Sequence, residues 1–223
     1  SFGSANDDMT DSGARSRVSR AAPLKQWAGK RSCFLFGPRQ RISWRPGARA
    51  LPVPIQLSRA GDDFEILRDT LIATEVPAFR GSRTRKALAT SKWYFFDVGV
   101  ASHLQGRLVE PRTPEFGAAF ETWVLHELLC HRDYADGATV THWRSRHGFE
   151  VHFILGGHTA VEVKGRADVP ERDLRGLRAL GDEKIVKRLV CVSMERRPRR
   201  VDKIEILPWR DFLDALWAGE FGE

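Results

Sequence analysis

The residues best suited to chemistry lie on two short segments that flank a pair of glycines. Residues 149–155 and residues 160–164 are both predicted to form β-strands, and the second ends in Glu162 and Lys164. Because side chains alternate along a strand, these two share one face. His152 is a polar residue on the first strand. A carboxylate two residues from a lysine, beside a polar position on a neighbouring strand, makes these two strands the candidate site.

The same alternation predicts the two faces of the first strand. One face is expected to carry Phe149, Val151, Phe153 and Leu155, and the other Glu150, His152 and Ile154. Glu150 lies two residues from His152, a shift of ~6–7 Å along a strand. That shift is large for two groups that must meet at one point, so Glu150 is not counted among the candidate site residues.

A well-marked helix supplies a further carboxylate. Thr113 can cap this helix, Pro114 suits its first position, and Glu115 favours the positive end of its dipole. Its core stripe is predicted to consist of Phe116, Ala119, Phe120, Trp123, Val124 and Leu128. Glu121 lies at the edge of that stripe, next to buried surface.

Other predicted elements place these segments in an α/β domain with a mixed sheet flanked by helices. Strands are expected at residues 93–96, 139–143, 185–194 and 203–207, and helices near residues 62–72, 171–180 and 209–217. Asp62 or Asp63 is expected to cap the first of these helices, and a capping box of Asp168 and Glu171 the second. Asp97 is expected to cap backbone N–H groups in a tight turn.

The composition indicates a folded protein without a membrane span. The 223 residues are 42% hydrophobic and include seven Trp and thirteen Phe. No apolar run approaches the ~18 residues needed to span a bilayer, and residues 1–10 lack the pattern of a secretory signal. Cys33, Cys130 and Cys191 are few and far apart, which is typical of reduced thiols. We therefore expect a cytoplasmic protein.

The formal charge of +7 is unevenly distributed. Residues 1–61 hold 11 Lys and Arg against 3 acidic residues, or +8, whereas residues 62–223 hold 25 against 26, or −1. We predict a mostly disordered basic extension at 1–61 and a folded domain at 62–223. Nucleic-acid contacts of that domain must use local patches. The candidates are Arg83, Arg85, Lys86, Arg144 and Arg146, for which a solvated surface is the alternative.

Four segments carry a resemblance to a known family. They are residues 63–72 (DFEILRDTLI), 92–100 (KWYFFDVGV), 117–121 (GAAFE) and 149–164. They resemble domain of unknown function 4143, the C-terminal domain of prokaryotic AAA+-type P-loop ATPases, and the element order resembles the restriction-endonuclease-like PD-(D/E)XK fold. The resemblance implies Glu121, Glu162 and Lys164 as catalytic positions of a nuclease site. It also implies Glu121, His152 and Glu162 as ligands of Mg²⁺ or Mn²⁺, with His152 where that fold has Asp.

An ATPase of this family begins with a strand and a phosphate-binding loop. Here Gly37, Pro38, Arg39 and Gln40 resemble the first half of that loop, but the next residues are Arg41 and Ile42 rather than Gly-Lys-Ser/Thr. The missing Lys and hydroxyl would have held the phosphates and Mg²⁺. The ATPase module is therefore interpreted as largely deleted, and no ATP hydrolysis is expected.

Two interpretations of the candidate site remain open from the sequence. In one, His152 is a ligand of a weak, Mn²⁺-preferring nuclease site that cleaves DNA or RNA, because imidazole suits Mn²⁺ better than Mg²⁺. In the other, Glu162 and Lys164 are an ordinary polar pair, and the domain is a non-catalytic module that binds nucleic acid or a protein partner. We favour the second. The sequence alone does not indicate an oligomeric state.

Overall fold

The computed structural model describes residues 60–81, 88–135 and 137–221. The chain divides into two units, Ser1–Ala48 and Arg49–Glu223, and the described residues all belong to the second. The predicted disordered extension and the loop remnant Gly37, Pro38, Arg39 and Gln40 lie outside the described residues.

A helix and a small two-stranded sheet begin the described chain. Helix α1 (Ala60–Asp69) leads into strand β1 (Ala73–Val76), which pairs antiparallel with β2 (Lys92–Phe95). Because α1 already begins at Ala60, the prediction that Asp62 or Asp63 caps it was wrong. The expected helix near residues 62–72 also ends earlier, at Asp69, and Leu71 in the turn that follows has a positive φ of 59°. Sequence periodicity did not separate this four-residue strand from the helix before it.

The prediction that Asp97 caps backbone N–H groups is confirmed. Its Oδ1 accepts a hydrogen bond of 2.7 Å from the N–H of Val100, at the start of helix α2 (Val98–Gln105). The helix itself was not predicted from the sequence.

The main body is a mixed sheet, as the sequence predicted, and it has six strands. Its strands are β3 (Val140–Arg144), β4 (Glu150–Leu155), β5 (Thr159–Lys164), β6 (Arg188–Ser193), β7 (Arg199–Val201) and β8 (Ile204–Pro208), in the order β3-β4-β5-β6-β8-β7. The first three are antiparallel to one another, β5, β6 and β8 are parallel, and β7 is antiparallel to β8. Strand β7 was missed, because its arginines are typical of a solvated turn.

Helices cover both faces of this sheet. Helix α3 (Pro114–Tyr134) and helix α5 (Trp209–Trp217) pack on one face of the sheet, and the hydrophobic cluster between them and the sheet is called the first core. Helix α4 (Arg175–Gly181) packs on the other face, and the cluster beneath it is called the second core. Thr113 caps α3 through its side chain, as predicted.

The capping box predicted from Asp168 and Glu171 is wrong. A 3₁₀ turn at Glu171–Leu174 precedes α4, and no side chain caps it. The helical leucines Leu174, Leu177 and Leu180 are nevertheless fully buried in the second core, as expected from their spacing.

The expectations about a membrane span and about the cysteine thiols can be compared with the structure only for the described residues. Within the described ranges, no helix is long and apolar enough to cross a membrane. Cys130 and Cys191 are free thiols, and Cys33 lies outside the described residues.

Candidate functional site

A β-bulge in β4 shapes the site. Thr141 pairs with Ile154 and Trp143 pairs with Val151, so two residues of β4, His152 and Phe153, lie opposite the single residue His142. A bulge adds one residue to one strand and reverses the side-chain alternation beyond it.

The bulge overturns one predicted face. Val151 lies in the second core with Ile154, whereas Phe153 and Leu155 lie in the first core. The strict alternation expected for residues 149–155 therefore fails at Val151. Past the bulge β4 also separates from β5, since their pairing covers only Phe153–Leu155 against Thr159–Val161.

His152 fills the gap between the two separated strands. Its Nδ1 accepts a hydrogen bond of 3.0 Å from the backbone N–H of Val163, in place of a ladder bond. Because Nδ1 is an acceptor, the ring proton lies on Nε2, which is 3.3 Å from Oε2 of Glu121. Nδ1 is also 3.8 Å from Oε2 of Glu162. The carboxylates from helix α3 and strand β5 thus approach opposite nitrogens of one imidazole.

Glu121 is held by residues of β2 that the sequence analysis did not assign to the site. The hydroxyl of Tyr94 donates a hydrogen bond of 2.6 Å to its Oε1, and Nζ of Lys92 is 3.3 Å from the same atom. Burial raises the pKa of Glu121, but His152, Lys92 and the hydrogen bond from Tyr94 together outweigh it and hold the pKa below its usual value. Burial, followed by the charge of Glu121, raises the pKa of Tyr94.

Lys92 also joins Glu121 to a third carboxylate. Its Nζ forms an ion pair with Oε1 of Glu150, whose Oε2 lies 3.9 Å from Arg144. Burial raises the pKa of Glu150, but the hydrogen bond and the charge of Lys92 outweigh burial. The pKa of Glu150 is therefore below its usual value. Glu150, excluded from the ligands by its position along the strand, therefore belongs to the cluster.

Glu162 and Lys164 form the predicted pair on β5. Nζ of Lys164 is 2.7 Å from Oε1 of Glu162, whose side chain is only 6% exposed. Burial lowers the pKa of Lys164, but the charge and hydrogen bond of Glu162 outweigh it and raise the pKa. Oε2 of Glu162 is buried and has no hydrogen-bond partner among the described residues.

A polar cleft of about 360 Å³ opens from these side chains. Glu150, His152, Glu162 and Lys164 line it on the sheet side. The other wall is the start of α4 and the turn before it, and includes Arg172, Asp173, Arg175 and Gly176. Arg172 and Arg175 are exposed basic residues that the sequence analysis did not assign to a site. Only the packing of α4 against β4 brings them to the cleft.

The structure brings together most of the residues proposed for chemistry. Glu121, His152, Glu162 and Lys164 form one cluster, and the exposed Arg144 lies beside it. Arg146 is exposed on the β3–β4 connection. Arg83, Arg85 and Lys86 lie outside the described residues. The roles assigned to all these residues stay predictions.

The arrangement does not fit the divalent metal that the nuclease-like resemblance implies. Mg²⁺ needs about six oxygen ligands, but both oxygens of Glu121 and Oε1 of Glu162 already face protein donors. The lone pair of Nδ1 of His152 is taken by the N–H of Val163. Within residues 60–81, 88–135 and 137–221, no three His, Cys, Asp or Glu side chains are arranged to hold a metal ion.

The fold and the cluster thus define an α/β domain with a buried, internally paired carboxylate site. Residues 116–212 match the family model described as Domain of unknown function (DUF4143). This match confirms the family resemblance over that part of the chain, which includes α3, the six strands and the cluster residues except those of β2. No curated protein and no solved structure matches the chain.

Proposed function

We propose that the described domain is a non-catalytic module whose polar cleft binds a phosphodiester segment of a nucleic acid. The observation that carries the proposal is the contrast between paired and unpaired charges. Each carboxylate of the cluster already has an ammonium partner, Lys92 for Glu121 and Glu150 and Lys164 for Glu162. Arg175, at the mouth, is exposed and has no ion pair with a described residue.

Arginines at the mouth suit a phosphate group. A guanidinium can donate two parallel hydrogen bonds to phosphate oxygens. The side chain of Arg172 is 78% exposed and approaches Asp173 only to 4.0 Å, so Arg172 and Arg175 can both turn toward a ligand. Because Lys92 and Lys164 offset the carboxylates behind them, repulsion of a phosphodiester is reduced.

Binding is tested with a labelled single-stranded oligonucleotide, followed by fluorescence anisotropy. Replacing both Arg172 and Arg175 by Ala is expected to weaken binding about tenfold, since two phosphate contacts are lost. The matched control replaces Arg196 and Arg197, which are equally exposed but lie after β6. Equal weakening by both double variants, or no binding by the unchanged protein, would refute the proposal.

One observation favours the alternative function, weak metal-dependent cleavage of DNA or RNA. Oε2 of Glu162 is buried and has no hydrogen-bond partner among the described residues, while Oε1 of the same carboxylate is paired with Lys164. A single open oxygen is far short of a complete ligand set. Manganese-dependent cleavage that disappears in both Glu162→Ala and Lys164→Ala would establish this alternative.

The proposal includes no ATP hydrolysis. Gln40 is followed by Arg41 and Ile42, so the lysine and hydroxyl of a phosphate-binding loop are missing. Purified protein is expected to hydrolyse no ATP beyond the level of a mock preparation.

A further inference from the structure

Lys92 occupies a distinctive position among the carboxylates. Its ammonium contacts Oε1 of Glu121 at 3.3 Å and forms an ion pair with Oε1 of Glu150. Its side chain is only 25% exposed, and those of Glu121 and Glu150 are 18% and 32% exposed. A single cation thus bridges two carboxylates that come from a helix and from the end of a strand.

Such a bridge performs the electrostatic task of a bound metal ion. Two carboxylates held close together repel each other, and partly buried charges need compensation. Lys92 supplies that compensation from β2. Because its ammonium is part of the chain, a chelator cannot remove it, unlike a bound metal ion. A divalent ion at the same point would have to displace an ammonium that is already ion-paired, and would then meet its repulsion.

The cluster also retains a position where more positive charge would be accepted. Glu162 is 95% buried, and its Oε2 has no hydrogen-bond donor among the described residues. His152 cannot supply the donor, because its Nδ1 already accepts the N–H of Val163. The open oxygen of Glu162 is not a metal site by itself, but removal of Lys92 would also release the oxygens of Glu121 and Glu150 that its ammonium holds.

We infer that Lys92 is a built-in counter-ion that closes the carboxylate cluster of Glu121, Glu150 and Glu162 to divalent metal ions. Replacing Lys92 by a neutral residue opens the cluster, whereas replacing His152 by Asp does not. This inference is independent of whether the cleft binds nucleic acid.

The test is a titration of the full chain with Mn²⁺ alone, by isothermal calorimetry and by the loss of the free-Mn²⁺ paramagnetic resonance signal. The unchanged protein is expected to bind no Mn²⁺ at the cluster, and Lys92→Met to bind one ion per chain. The affinity of Lys92→Met should exceed the detection limit set by the unchanged protein by at least about 10- to 100-fold, the range by which one neighbour of a ligand changes metal binding. Lys203→Met, at an exposed site outside the cluster, is the matched control and should bind like the unchanged protein.

Two further variants keep the test decisive if Lys92→Met fails to fold. Lys92→Arg retains the positive charge, and His152→Asp adds a carboxylate while Lys92 stays in place; neither should bind Mn²⁺. Stoichiometric binding by His152→Asp would overturn the inference, as would equal binding by the unchanged protein and Lys92→Met. A folded Lys92→Met that binds no Mn²⁺ would overturn it as well.

Discussion

At the scale of single residues, the site is defined by which atoms already have partners. His152 accepts from Val163 and faces Glu121 with its other nitrogen. Tyr94 and Lys92 hold the second oxygen of Glu121. A hydrogen bond to a buried charged group contributes more than one between neutral groups. The stability of the domain therefore depends on side chains that would otherwise be assigned only to chemistry.

The Tyr94 hydroxyl offers the cleanest test of this dependence. Tyr94→Phe removes the 2.6 Å hydrogen bond to Glu121 and little else, so the free energy of unfolding should fall by about 1.5–3 kcal/mol. Urea denaturation at neutral pH measures it. The only other tyrosine, Tyr134, is 78% exposed, and Tyr134→Phe should change stability by less than about 0.5 kcal/mol. Similar losses in both variants would contradict the role of Tyr94.

Acid should destabilise the domain through two carboxyls of the cluster. The pKa values of Glu121 and Glu150 are lowered in the folded state. Their contribution to stability is therefore complete above the ordinary Glu pKa of about 4.3 and is lost as pH falls through the folded values. The urea concentration at the unfolding midpoint, measured from about pH 7 to about pH 3, should decrease as the pH drops below about 4.3. In Lys92→Met, which lacks the main positive partner of Glu150, the fall should be smaller and should end at a higher pH, because the folded-state pKa lies closer to the unfolded one.

At the scale of elements, the cleft depends on how closely α4 approaches β4. A β-carbon at Gly176 would overlap the backbone carbonyl oxygen of Glu150. No side chain other than hydrogen fits at this contact without moving the helix or the strand. The same contact places Arg172 and Arg175 opposite the carboxylate cluster.

Gly176→Ala is therefore expected to destabilise the domain by about 1–3 kcal/mol, the usual cost of overpacking. Because α4 must shift, binding of an oligonucleotide in the cleft should weaken as well. Gly117→Ala on α3 is the control, since no described residue outside its own helical turn lies within 4 Å of the β-carbon it would add. It should stabilise by about 0.4–1 kcal/mol. Thermal unfolding of both variants separates the two effects, and a neutral Gly176→Ala would argue against the close approach.

At the scale of the whole molecule, the charge distribution limits what the domain can bind. Residues 62–223 carry a formal charge of −1, whereas the chain carries +7. A nearly neutral domain has no general attraction for a polyanion, so its contacts with nucleic acid must be few and local. The exposed arginines beside the cleft meet that condition.

Salt dependence should reveal how few these contacts are. If Arg172 and Arg175 each meet one phosphate of a single strand, the slope of log K against log salt should be about −1.4. The measurement uses residues 62–223 if that fragment unfolds cooperatively, and otherwise the full chain with residues 1–61 as an additional source of positive charge. A slope steeper than about −5 for the fragment would mean a broad electrostatic surface rather than a local cleft.

Much of the fold was predictable because its signals are local. The cap at Thr113, the buried leucines of α4 and the mixed sheet follow from patterns within a few residues. The errors arose where a pattern was short or interrupted, as at β1, at β7 and at Val151. Periodicity assumes an uninterrupted strand, so a single inserted residue defeats it.

The sequence by itself determined most of the element types and the pairing of Glu162 with Lys164. Residues two apart on one strand face the same way whatever surrounds them. Only the tertiary structure decided that Lys92 and Tyr94 hold Glu121, since they lie 29 and 27 positions away in the chain. The bulge in β4 decided the direction of His152. Contacts between distant residues depend on how the elements pack, and such packing produces no regular residue spacing that could be recognised in the sequence.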